Sequence, residues 1–103
     1  MFVAYKRQMK TIKRLPEANK ELKAVPAAPR ARIDIAIRKL RKGLGRVESV
    51  GDRVSELKID FQKGWRVYFT RRGEEIIVLL AVGSKRDQQR DIKKAKQREE
   101  SVE

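Results

Sequence analysis

Hydrophobic and polar positions along this chain change period twice. From Pro16 to about Lys42 apolar residues recur every three or four positions, and from Ser55 to Thr70 they alternate. Glu75–Val82 is then almost wholly apolar, and after Gly83 apolar residues nearly cease. Three-to-four spacing marks a helix with one buried face, and alternation marks a half-buried strand. The N-terminal stretch fits either period. Phe2, Val3 and Tyr5 favour a strand, while Met9, Ile12 and Leu15 could share a helical face. Pro16 cannot sit inside a continuous helix, so a strand from about Ala4 to Lys13 is expected, with Pro16 opening a helix over Pro16–Val25. A second helix is expected from Pro29 to about Lys42, with Ile33, Ile37, Leu40 and Leu44 on its inner stripe and Gly43 as its C-terminal cap. Strands follow at Ser55–Phe61, Trp65–Thr70 and Glu75–Val82, the last covered on both faces. Asp87 to about Glu99 reads as a polar helix with only Ile92 and Ala95 apolar, able to bury little and loosely held. The order predicts an α+β fold in which an N-terminal strand and a helical hairpin pack on one face of a twisted antiparallel sheet, trailed by a loose C-terminal helix. At 103 residues, without a linker or internal repeat, residues 1–103 are expected to form a single domain.

Charge changes the picture. Lys and Arg number 27 against 14 Asp and Glu, a net of +13. Residues 1–46 hold fourteen cations and three acids, residues 47–83 six of each, and residues 84–103 seven and five. The helical part is the electropositive body, and a surface this basic attracts polyanions, nucleic acid first among them. An anionic membrane or an acidic protein would serve the same charge. The chain has no Cys and no His. Disulfides, thiolate metal sites and the commonest general base are excluded, and neither metal nor cofactor is expected. No apolar run reaches the ~20 residues that span a membrane, and no signal peptide opens the chain, so a cytoplasmic protein with no membrane partner is expected.

Alternation also decides which side chains share a face. Lys58 points away from Leu57 and Ile59, and Arg66 and Tyr68 point away from Trp65, Val67 and Phe69. Across a hairpin the three meet on its non-core face, from which Arg66 is expected to be removable without loss of the fold. Lys85, Arg86, Gln89, Arg90 and Asp91 follow the last strand, and Lys63 lies in the hairpin turn. Fixed cations can stabilise the pentavalent phosphate formed when an RNA 2′-hydroxyl attacks its neighbour, with a Lys or Asp91 as base. Lys58, Arg66, Lys85, Arg86 and Asp91 are the catalytic candidates, and Tyr68, Lys63, Gln89 and Arg90 the RNA-binding ones. The same residues equally fit ordinary solvated charges on an exposed sheet, with the Tyr68 ring packed down.

The run VSELKIDFQKGWRVYF, followed by GEEIIVLLAVGSKRDQQRDIKKAKQ, resembles the HigB-like branch of the RelE/ParE toxin superfamily. The upstream PRARIDIAIRKLRKGLGRVESVG fits the same branch. The resemblance covers about residues 28–97, and residues 1–27 match in general plan. It implies two helices on an antiparallel sheet, ribosome-dependent endoribonuclease action on mRNA without a metal, and a cognate antitoxin, often of helix-turn-helix type. By position, Arg66 matches the phosphate-contacting Arg of the family's strand. Lys58 matches its basic strand residue, Lys85 or Arg86 the basic residue after the last strand, and Asp91 the site of a catalytic Tyr or Asp. Trp65 replaces the usual Tyr, Ser84 stands where the branch often has Asp, and no His is present. Some superfamily members inhibit gyrase instead. A same-fold inhibitor of such a protein target, or a non-catalytic RNA- or ribosome-binding protein, are the competing readings.

Overall fold

The computed structural model describes residues 9–103. Five strands form one sheet: β1 (Thr11–Arg14), β2 (Arg46–Gly51), β3 (Val54–Ile59), β4 (Trp65–Arg72) and β5 (Ile76–Ser84). Three helices accompany them: α1 (Pro16–Ala24), α2 (Ala27–Arg41) and α3 (Gln88–Glu99), the last entered through a 3-10 turn at Lys85–Asp87. The spatial order is β1-β5-β4-β3-β2. β2 to β5 are antiparallel neighbours, and β1 joins the free side of β5 in parallel.

The α+β class agrees with the sequence pattern, and several details differ from it. The observed first strand is Thr11–Arg14; the Ala4–Gln8 part of the expected strand lies outside the described residues. α2 begins at Ala27, two residues ahead of Pro29, which sits in the first turn where its missing N–H costs nothing. Leu44 lies past the helix and is half exposed rather than on its inner stripe. β2 was not expected: RVESVG is short, exposed along nearly its whole length and carries Gly, so it has little strand signature of its own. Its pairing with β3 creates it.

The helices occupy both faces, not one. α1 and α2 cover Leu57, Ile59, Val67, Phe69, Ile77 and Leu79 with Ala18, Leu22, Ile33, Ile37 and Leu40. α3 covers the other face, where Val54, Tyr68, Val78, Leu80, Ala81 and Ala95 form a second cluster. A bulge makes this possible. Tyr68 pairs with Ala81 while Phe69 pairs with Leu79, so Leu80 is an extra residue in β5. Adjacent Leu80 and Ala81 then both serve the α3 cluster.

α3 is also not loose. Asp91, Ala95 and Glu99, spaced four apart, are all buried. Polar bonds hold it where apolar area is scarce. Arg98 donates to Leu80 O at 2.8 Å and to Glu21 Oε2 on α1 at 2.9 Å, and Arg72 on β4 donates to Glu99 Oε2 at 2.7 Å.

Candidate nucleic-acid interface

The site is built where the β3–β4 turn meets the start of α3. Gln62 and Gly64 both take positive φ in this turn, and Gly64 N–H donates back to Phe61 O at 3.0 Å. Lys85 N–H then donates to Gly64 O, also at 3.0 Å, tying the turn to the end of β5. Glycine is required here on two counts. The φ of +84° is in the left-handed region, and a Cβ would sit 3.3 Å from Lys85 Cβ. The result is a cleft of about 370 Å³ lined by Asp60, Gln62, Lys63, Arg66 and Lys85 among others. A second cleft of about 370 Å³ adjoins it through Lys63, with Trp65, Arg86, Arg90, Asp91 and Lys94 on its walls.

Arg66 is the most constrained cation of the set. It is 7% exposed, so the face carrying it is a core face and not an open one. Its Nη1 donates to Trp65 O at 3.0 Å, and its Nε lies 3.3 Å from Glu56 Oε2 in a buried ion pair. Gln88 Nε2 at the start of α3 reaches both Glu56 oxygens at 2.8 Å. Glu56, held by Gln88, thus faces the guanidinium as an ion-pair partner without hydrogen-bonding its Nε, and the guanidinium still lines the open cleft. Register sets Lys58 opposite Arg66, but Lys58 forms an ion pair with Glu48 on β2.

Tyr68 is wholly buried under α3, which rules out an RNA-binding role on an exposed surface. Burial, and then the charges of Glu56 and Asp91, push its phenol well above its ordinary value, so it stays protonated. Asp91 is 2% exposed. Its Oδ1 lies 3.6 Å from Arg90 Nε and 3.7 Å from Lys94 Nζ, while its Oδ2 is buried without a hydrogen-bond partner. Burial raises its carboxyl above the ordinary value, outweighing Lys94 and Arg90, and Asp87 and Glu21 add to the rise. Gly83 makes room for it, since a Cβ there would overlap Asp91 Oδ2. Gly83 is also the register partner of Arg66, so Arg66 and Asp91 flank one residue of β5.

Lys63, Lys85, Arg86, Gln89 and Arg90 are exposed. The structure thus brings Lys63, Arg66 and Lys85 to one cleft and Arg86, Arg90 and Asp91 to its neighbour. Gln89 lines neither cleft. Glu56 and Gln88 were missed by the sequence reading. Alternation already put Glu56 on the face of Lys58 and Arg66, but an acid in a basic patch carries no phosphate-binding signal. Only the helix docked over the strand reveals it as a clamp.

A family model described as phage derived protein Gp49-like (DUF891) matches residues 20–100. The chain belongs to this family. The Gp49-like match runs from α1 through α3 and so includes every wall of both clefts. A Haemophilus influenzae protein described as uncharacterized is 40% identical over 68 residues, which is 65% of this chain and 69% of its own length. Among the described residues no helix is long and apolar enough to cross a membrane.

Proposed function

We propose that this Gp49-like protein is the toxin of a toxin–antitoxin module and acts as a ribosome-dependent endoribonuclease on mRNA. The family is associated with toxin–antitoxin modules. The observation that carries the cleavage reading is the convergence of Lys63, Arg66 and Lys85 on one open cleft, with Arg66 held by Glu56. The likeness of the β3–β4 run to the HigB-like branch supports it. In this reading the substrate's 2′-hydroxyl attacks the adjacent phosphorus. The P–O2′ bond forms, the P–O5′ bond breaks, and a 2′,3′-cyclic phosphate remains. The 2′ proton passes to a base and the 5′-oxygen takes one up. Arg66, Lys63 and Lys85 stabilise the charge that gathers on the phosphoryl oxygens, so no metal is required. Asp91, with its raised carboxyl, serves as the proton carrier. A cognate antitoxin, of helix-turn-helix type, is the expected protein partner.

The test is induction of the gene in a bacterial host, followed by primer extension on cellular mRNA. Growth arrest with discrete mRNA cuts is expected. Arg66→Lys keeps a cation beside Glu56 but loses the planar fork, and should slow cleavage by about 10²–10³-fold, as loss of one positioned donor does. Growth arrest with intact mRNA would move the reading to a protein target such as gyrase. Unimpaired growth with intact mRNA would overturn the toxin reading.

A further inference from the structure

Charge pairing divides this molecule into two halves. Every ion pair found among the described residues uses a cation from Arg46 onward. The eleven Lys and Arg between Lys10 and Lys42 include none with a carboxylate within 4 Å, and residues 1–8 contain no acid that could supply one. Glu21, one of three acids in this stretch, is turned away to Lys94 and Arg98 on α3. The unpaired cations line β1, α1 and α2. Between β1 and α2 lies a cleft of about 570 Å³, walled by Arg14, Arg38 and Arg41 with Asp34 as the one acid on its walls.

We propose that this β1–α2 face is a second polyanion site, which holds the phosphate backbone of folded RNA at a distance from the Arg66 cleft. Unpaired cations give up no carboxylate bond when they meet phosphate and so keep the full gain of counterion release. Cations already bonded to carboxylates must first break those bonds. Two observations favour RNA over a protein or membrane. Apart from Ile12 and Ile37 the cleft walls are polar or charged. Of the exposed large apolar residues, Ile35 lies on the other flank of α2 with Arg46 of β2, Val47 is on β2 and Leu44 precedes it, and Met9 alone stands beside β1. A docking protein or a lipid surface needs apolar contact, whereas a phosphate backbone needs only spaced cations. The 15-residue α2 is about 22 Å long at ~1.5 Å per residue, enough to run past several successive phosphates of a duplex. The inference goes beyond the cleavage reading and does not depend on it.

The decisive variant is the triple Arg14→Gln/Arg38→Gln/Lys42→Gln, all exposed positions. Arg41 is left intact because its Nε donates to Lys10 O at 3.2 Å. Affinity for a fluorescent RNA hairpin is measured by anisotropy across a salt series, alongside melting temperature. The triple variant should melt like wild type and bind the hairpin at least tenfold more weakly. Its slope of log affinity against log salt should be shallower by about two, at roughly 0.7–0.9 per phosphate contact. Arg46→Gln/Arg53→Gln, exposed cations already paired with Asp60 and Glu99, should keep most hairpin binding. Wild-type affinity and slope in the triple variant overturn the proposal. So does binding of polyglutamate or of anionic vesicles as tight as the hairpin and through the same three residues. Wild-type protein that binds the hairpin yet cuts no mRNA would sink the nuclease reading and leave this one standing.

Discussion

Arg66 and Glu56 share a buried site, and neither charge can be deleted alone without stranding the other in a low-dielectric interior. Removing one partner of such a pair costs about 3–5 kcal/mol. Arg66→Ala is therefore expected to lower the melting temperature sharply, contrary to the dispensable surface position that strand alternation suggested. Calorimetry of Arg66→Ala against Arg66→Ala/Glu56→Gln checks this, and equal instability in both would show that the pair is not the cause. Gly83 offers a second test. Gly83→Ala should cost about 1–3 kcal/mol, because the new methyl has nowhere to go except into the Asp91 carboxyl. In an Asp91→Ala background most of that cost should vanish. Urea unfolding of the four proteins settles it, and an equal cost in both backgrounds would refute the wedge. Asp91 also sets a pH dependence. Its carboxyl is raised above 3.8, so the folded state binds the proton more tightly than the unfolded one. Stability then falls as pH rises from about that value through the raised one. Asp91→Asn should flatten this decline.

At the level of elements, α3 is a helix held by polar bonds. Glu21 is its counterpart on α1. Burial alone would raise the Glu21 carboxyl, but hydrogen bonds from Arg98 and Val82 N–H, with the charges of Arg98 and Lys94, outweigh it and hold it below 4.5. Its contribution is present in full above 4.5 and is lost as pH falls through the lowered value. Protection factors of α3 amides, taken relative to the intrinsic exchange rate at each pH, should fall at acid pH while those of β4 hold, and Glu21→Gln should lower them already at neutral pH. Unchanged α3 protection on acidification would contradict this. The same helix explains what the sequence could and could not convey. Strands β3 and β4 and both early helices were legible because their apolar residues repeat at 2.0 or 3.6, and β5 because it is one short, almost wholly apolar run. The buried stripe of α3 is Asp91, Ala95 and Glu99. Its spacing is helical but two of its three members are charged, so a hydrophobicity pattern passes over it. With α3 misjudged, the face of Arg66 and Tyr68 looked open. The basic cluster was right in residue type, yet the clamp on Arg66 and the burial of Tyr68 and Asp91 depend on that unseen contact.

For the whole molecule, a net +13 that is paired in one half and unpaired in the other makes the helical layer repel itself. Raising salt from low to physiological strength should therefore increase the melting temperature, and sulfate should do more than chloride at equal ionic strength. A melting temperature indifferent to both would mean that the repulsion is negligible. The parallel union of β1 with β5 has a consequence in time. β1 spans Thr11–Arg14, and its partner residues, Ile76–Leu79, are more than sixty positions later. During synthesis the first strand has no partner strand until β5 has emerged. β1 therefore stays an unpaired strand through most of synthesis, while β2, β3 and β4, being consecutive antiparallel neighbours, can pair before β5 appears.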